Sequence, residues 1–177
     1  MKTSIKIMTN ETLYYKSPLG ALCIRSEATN IIEVSFVNSG KRVSVNENEI
    51  KYENGQSSII NKCISQLDEY FAGKRFDFDL DLSQQGTPFQ QSVWAALLKI
   101  KYGEKLSYLS FSKRLGNVKA IRAVGTANGK NNIAIIVPCH RVIGSNGSLV
   151  GYGGDLWRKQ WLLEHEAKFG NGVQTLF

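Results

Sequence analysis

Cys139 and His140 stand side by side at the end of an apolar run, in Ile135-Ile136-Val137-Pro138-Cys139-His140-Arg141-Val142-Ile143-Gly144. A thiol beside an imidazole points to nucleophilic chemistry, because a nearby base or cation raises the thiolate fraction. The competing role is structural, since unpaired cysteine is often buried as a small hydrophobe. Geometry limits how such a pair can work. Neighbours i and i+1 do not face each other on a helix, and on a strand they point to opposite faces. Direct proton transfer therefore needs a sharp backbone turn, and a bridging water is the more natural link. The imidazole then needs an orienting acceptor from elsewhere in the chain.

The elements that must position this pair follow from local signals. Ile133 to Val137 reads as a segment buried on both faces and stopped by Pro138, which cannot extend a hydrogen-bond ladder. Upstream, Thr87 can cap a helix opened by Pro88, with Phe89, Val93, Leu97 and Ile100 as its stripe. Ser107 to Leu115 is a short helix ending at Gly116. Asn117 is expected to cap a further helix from Val118 to about Asn128, with Ile121 and Val124 inward and Gly129 past its end. Two helices joined by a Gly-Asn turn read as a helix-turn-helix, or as an ordinary helical hairpin. Downstream, four glycines around Tyr152 make Ser145 to Gly154 a backbone-dominated loop that lets a ligand approach the main chain. Asp155 is expected to cap a last helix, Leu156 to Ala167, with Trp157, Trp161, Leu162 and Leu163 in the core.

The N-terminal half reads differently. Leu13 to Ser26 gives two strands around a Ser-Pro-Leu-Gly turn, and Ile31 to Val37 gives a third. Lys41 to Gln56 is polar and reads as a mobile surface loop. Ser57 to Ala72 is helical, with Ile60, Ile64, Leu67 and Phe71 on one face and Gly73 as its stop. Phe76 to Leu82 alternates strictly, as a half-buried strand does. Gln84-Gln85-Gly86-Thr87-Pro88 is the expected boundary, giving domains 1–85 and 86–177.

At 177 residues the chain can bury a real core. No apolar run approaches the ~20 residues of a membrane span, and Met1 to Lys6 lacks the apolar stretch of a signal peptide. Three cysteines without paired spacing argue for a reducing cytosol, so a cytoplasmic location is expected. Cys23 and Cys63 are isolated and only His140 and His165 exist, so no metal or other cofactor is expected. Charge is divided unevenly. Through Gln85 there are ten Lys+Arg against eleven Asp+Glu, and from Gly86 there are twelve against four. The basic excess lies in the half that carries Cys139, an electrostatic footprint for nucleic acid or merely a solvated basic face.

Pro138-Cys139-His140-Arg141-Val142-Ile143-Gly144, Arg122-Ala123-Val124-Gly125 and Trp161-Leu162-Leu163-Glu164-His165-Glu166 together resemble the O6-alkylguanine-DNA alkyltransferase family. The likeness covers about Leu67 to Ala167, and the N-terminal unit weakly. It implies an α+β protein: a small N-terminal α/β (ribonuclease-H-like) domain and a mainly helical, winged-helix-like C-terminal domain with a helix-turn-helix. It implies that Cys139 accepts the alkyl group, that His140 activates it through water, and that Glu166 orients His140. Asn131 would brace the active-site turn, and Tyr108 would donate to the guanine ring. The Val142 carbonyl would hold the exocyclic amine, with Tyr152 and Gly153 enclosing the flipped base. Arg122 would fill the gap in the stack, on a helix that enters the minor groove, and Asn117, Ala123, Tyr108 and Tyr152 would also meet the DNA.

The implied partner is double-stranded DNA carrying O6-alkylguanine, with no membrane and a monomeric protein. Asn132, Lys101 and Val118 replace prolines common in the family, and Gly153 stands where serine or alanine is frequent. A turn less rigid at Asn132 and a roomier pocket at Gly153 are expected. Two rivals remain from other classes: a lesion-marking protein of the alkyltransferase-like type, which lacks the cysteine, and a cysteine hydrolase using a Cys-His pair.

Overall fold

The computed structural model describes residues 10–40 and 45–170. Strands β1 (Asn10–Ser17), β2 (Gly20–Glu27) and β3 (Asn30–Phe36) form an antiparallel meander in that order. The Ser-Pro-Leu-Gly turn joins the first two as expected: Ser17 Oγ accepts from Leu19 N and donates to Gly20 O, and Gly20 takes φ 100°. Helix α1 (Ser58–Phe71) starts where Ser57 Oγ accepts from Ile60 N, and Gly73 follows its end at φ 70°. Its buried face (Ile60, Cys63, Leu67) covers Leu22, Ile24, Ile31 and Val34 of the sheet in one hydrophobic cluster. The mobile-loop expectation for Lys41 to Gln56 lies partly outside the described residues; within 45–56 there is one 3-10 turn, Glu47–Glu49.

Phe76 to Leu82 keeps the expected alternation, with Phe76, Phe78, Leu80 and Leu82 half-buried and Asp77, Asp79 and Asp81 exposed. It is not a laddered strand. The Gln66 side chain takes the partner's place, donating to Asp79 O at 3.0 Å and accepting from Asp79 N at 2.9 Å. Only at Leu82 does the chain bridge to Ile31 of β3.

The C-terminal half holds α2 (Pro88–Leu97), α3 (Tyr108–Arg114), α4 (Ile121–Gly129) and α5 (Leu156–Gly170). Two short strands, β4 (Leu106–Ser107) and β5 (Val142–Ile143), pair in parallel. Thr87 and Gln90 form a reciprocal capping box at α2. Phe89 is exposed rather than part of the stripe, and Trp94 fills the core instead, donating its indole N–H to Ala127 O at 2.9 Å. Asn117 does not cap a helix. A 3-10 turn, Val118–Ala120, intervenes, and its side chain makes no capping bond. Asp155 takes φ 69° and its carboxylate meets Arg158 at 2.6 Å. Trp157 is 55% exposed and not core, lying instead against the Arg158 guanidinium. The helix-turn-helix of α3 and α4 is present.

The expected two-faced burial of Ile133 to Val137 holds, but the segment is a knot of turns and not a strand. Ile133, Ile135, Ile136 and Val137 are buried. Ile135 sits at φ 71°, with Ile136 N donating to Ala134 O across it. A β-branched residue there is strained, and only surrounding packing holds it. A second i→i+2 bond, Cys139 N to Val137 O, spans Pro138. This turn hangs on the open edge of β3: Val34 N donates to Asn132 O and accepts, through its own carbonyl, from Ala134 N. Asp81 O and Ser83 N pair with Ile31 on the same edge, so two irregular stretches cover the edge that would otherwise be unpaired. Asn132 N also donates to Gln84 Oε1 at 2.8 Å, a bond that proline could not make.

The Gln66 bridge gives a test. Gln66→Ala should cost about 1–3 kcal/mol, because it strips both partners from a backbone unit that the side chain encloses. Urea unfolding measures it. A loss below about 0.5 kcal/mol, the range of ordinary surface substitutions, would mean that Phe78 and Leu80 alone hold the segment.

Candidate active site

Cys139, His140 and Arg141 form a 3-10 turn, so the backbone bends at the thiol as direct approach of neighbours would require. Cys139 is 5% exposed. Burial pushes its thiol above the ordinary 9.0, opposed by a hydrogen bond from Asn131 and the charge of Lys159. Asn131 Nδ2 lies 3.2 Å from the sulfur and 2.8 Å from Val137 O, while its Oδ1 accepts from Ile133 N. One amide thus braces both ends of the turn and touches the thiol.

His140 is fully buried, with Nε2 2.7 Å from Glu166 Oε1. Glu166, also fully buried, accepts further from Tyr70 Oη at 2.9 Å, from Gly103 N at 3.2 Å and from Arg141 at 2.8 and 3.0 Å. Burial favours the neutral acid, but His140 and Arg141 outweigh it and hold the carboxyl well below its usual range. An ionised carboxylate can only accept, so Nε2 carries the proton and Nδ1 keeps its lone pair. Burial lowers the imidazole below its ordinary value and so favours its neutral form, while Glu166 pulls the other way. Nδ1 is buried and has no hydrogen-bond partner. A basic nitrogen with a free lone pair therefore stands next in sequence to the thiol.

Tyr108, first residue of α3 after its Ser107 cap, accepts at Oη from Asn128 Nδ2 at 3.1 Å. Gly151, at φ 63°, comes so close that a Cβ there would lie 3.0 Å from the phenol oxygen. The loop around Tyr152 is fastened by Lys159, whose buried Nζ donates to Val142 O at 2.6 Å and Val150 O at 2.7 Å. Burial lowers that ammonium to about 8, with the Cys139 charge pulling the other way. Tyr152 Oη is buried without a partner. Gly153 is exposed and a Cβ would meet only Gly129 O, at 3.9 Å.

Arg122, Ala123 and Thr126 are exposed along α4, and Asn117 is exposed before it. Lys113, Arg114, Lys119 and Lys130 are exposed around them. The helix face is built from small residues, so its backbone can approach a partner closely. Sequence reasoning did not single out Tyr70, Asn128, Arg141 or Lys159. Arg141 stood within the Pro138 to Gly144 motif but was given no role, Lys159 was visible only as an ordinary cation, and nothing local marks Tyr70, which lies 96 residues from Glu166. No group of three metal-ligating side chains occurs among the described residues.

Glu166→Gln would leave the buried Arg141 guanidinium uncompensated and should cost about 3–5 kcal/mol in denaturant unfolding. The Glu166 carboxyl is lowered in the folded state, so its contribution is present above 4.5 and lost as pH falls through the lower folded value. The gap between wild type and variant should therefore close in acid. A gap independent of pH would show that the carboxylate charge does not carry it.

Comparison with known proteins bears on what this geometry does. A family model described as the DNA binding domain of 6-O-methylguanine DNA methyltransferase matches residues 88–168, and its ribonuclease-like domain matches 12–84. A methylated-DNA–protein-cysteine methyltransferase of Methanosarcina acetivorans is 43% identical over 86% of this chain and 95% of its own length. The constitutive one of Bacillus subtilis is 46% identical over 78% and 84%. The solved O6-methylguanine methyltransferase of Mycobacterium tuberculosis, 40% identical, superposes with TM-score 0.78 over 90% of this chain and 94% of that one. A structure from the same bacterium in complex with DNA, 42% identical, gives TM-score 0.77 over 88% and 92%.

Proposed function

This chain belongs to the 6-O-methylguanine DNA methyltransferase family, and we propose on that premise that it repairs DNA by direct reversal, moving the alkyl group of O6-alkylguanine onto Cys139. The observation that carries the reading is the unpartnered Nδ1 of His140, opposite an Nε2 that Glu166 holds. One water at Nδ1 takes the thiol proton, and that proton passes to the imidazole. The sulfur attacks the alkyl carbon, the S–C bond forms as the C–O6 bond breaks, and guanine leaves with the electron pair. Tyr108 donates toward the ring nitrogen that gains this charge. The thioether has no good leaving group, so each molecule acts once.

The lesion lies inside the duplex, and the base must turn out of the stack at a cost of a few kcal/mol. We assign α4 to the minor groove, with Arg122 filling the vacated space and Ala123 and Asn117 against the backbone. The exposed lysines around α4 offset the cost by neutralising phosphates. The Val142 carbonyl accepts from the exocyclic amine with the lone pair that Lys159 leaves free. Tyr152 closes over the base, and Gly153 leaves room beside it. Asn131 keeps the turn in register. Residues 86–177 carry this chemistry and 1–85 support it. The protein works as a monomer in the cytoplasm, where Cys139 stays reduced, and needs no metal or cofactor. A lesion-marking protein would lack Cys139, and a hydrolase would turn over.

Wild type mixed with duplex DNA bearing one O6-methylguanine should gain one methyl mass at Cys139 and stop. Cys139→Ser should bind the same DNA and gain nothing, because neutral serine is a far weaker nucleophile. Intact mass and peptide mapping read both; methylation at Cys23 or Cys63, or repeated turnover, would end the proposal.

Arg122→Ala should slow repair of the duplex lesion far more than attack on free O6-benzylguanine, which needs no rotation out of a helix. Two single-turnover rates at saturating substrate make the comparison. Equal losses would assign Arg122 to the fold or pocket instead.

A further inference from the structure

Asn128 lies at the C-terminal end of α4, 1% exposed, between the proposed proton donor and the nucleophile's own backbone. Its Nδ2 is 3.1 Å from Tyr108 Oη and 3.3 Å from Cys139 O. A carbonyl oxygen can only accept, so Cys139 O fixes which end of the amide faces it. The nitrogen must lie there, and the same nitrogen then meets the phenol oxygen. An amide N–H can only donate. Tyr108 is therefore an acceptor toward Asn128, and its own O–H is left to point elsewhere.

We infer that Asn128 is a positioning residue that fixes the hydrogen-bond polarity of Tyr108, so that the phenol presents its proton to the leaving base. The inference rests on the alkyl-transfer reading above. Three features support it. The Asn128 bond stabilises the charge that grows on the phenol oxygen as it donates, and it works against burial, which raises the phenol. Gly151 leaves no room for a side chain beside the oxygen, since a Cβ there would lie 3.0 Å from it. And Asn128 Oδ1 is buried without a partner, a cost that an apolar residue of the same size would avoid. Because Asn128 lies in the last turn of α4, the helix assigned to DNA reaches the carbonyl of the nucleophile through one side chain.

The test compares single-turnover rates on duplex DNA bearing O6-methylguanine and its 3-deaza analogue, which has no ring N3 to receive a proton. Wild type should prefer the natural lesion, and Asn128→Leu should shrink that preference about tenfold, part of the ~10²–10⁴ that a positioned acid supplies. The ratio cancels any general loss of folded protein. Tyr108→Phe should shrink it at least as far, and adding Asn128→Leu to Tyr108→Phe should change it no further. Asn128→Asp keeps the size and offers an acceptor, so the phenol O–H turns to it and the preference should fall again. A preference unchanged in Asn128→Leu and Asn128→Asp, while Tyr108→Phe abolishes it, would overturn the role of Asn128 alone. A preference unchanged in Tyr108→Phe would remove the donor role of Tyr108 and the inference with it. Absence of transfer by wild type would instead strike the proposed function.

Discussion

An ionised carboxylate sealed from water has to be matched by donors, and Glu166 is such a group. Its two oxygens take five hydrogen bonds, one each from Tyr70, His140 and Gly103 and two from Arg141, through Nε and Nη2. Buried ion pairs of this kind roughly break even against well-packed apolar residues, so the network is a poor source of stability in itself. What it does is decide positions. It joins α1, the chain around Gly103, the Cys139 turn and α5 at one point, and it dictates which nitrogen of His140 keeps its proton. Arg141 completes the balance, with its remaining arm on Ile100 O at 2.6 Å. Without that cation the carboxylate would be driven toward its neutral form, and the imidazole tautomer would no longer be set.

The second constraint is the strained turn that carries the thiol. Ile135 in the left-handed region, with an i→i+2 bond across it, is unfavourable locally, whereas the second such bond spans Pro138 at φ −83° and ψ 61°, an ordinary inverse γ-turn. The Ile135 conformation persists because Ile133, Ile135 and Val137 are packed in the core and because β3 binds the turn along its edge. The N-terminal sheet thus has a mechanical part in the site without offering a residue to it. Asn131 closes the arrangement from inside, sharing its amide between backbone and sulfur.

The surface shows the complementary choice. Around α4 the exposed charges are Lys113, Arg114, Lys119, Arg122 and Lys130, and among the described residues only Arg114 is tied down, by Glu104 at 2.6 Å. A helix faced with alanine, threonine and glycine and fringed with free cations suits close approach to a polyanion. Inside, cations are bound and exact in their partners; outside, they are left to solvent. The basic excess of the C-terminal half therefore serves two separate ends.

The local elements were legible in the sequence. The Pro-Cys-His-Arg motif and the distant Glu166 carried the family resemblance from which the expected relay came, and the fold brings His140 and Glu166 together. The caps at Ser57 and Thr87 and the hairpin turn at Pro18-Leu19 were read correctly, because each depends on atoms within about four residues. Even the alternation of Phe76 to Leu82 predicted burial correctly, since side-chain period follows from backbone extension alone. Tertiary structure decided the rest. Whether that segment pairs as a strand depended on Gln66, thirteen residues away, taking the place of a neighbouring strand. Whether Ile133 to Val137 is a strand or a turn depended on β3, and Tyr70, Asn128 and Lys159 became part of the site only through packing across 96, 11 and 17 residues. A sequence shows what each residue is able to donate, accept or bury; which partner it meets is settled when the core closes and every buried polar atom must be matched.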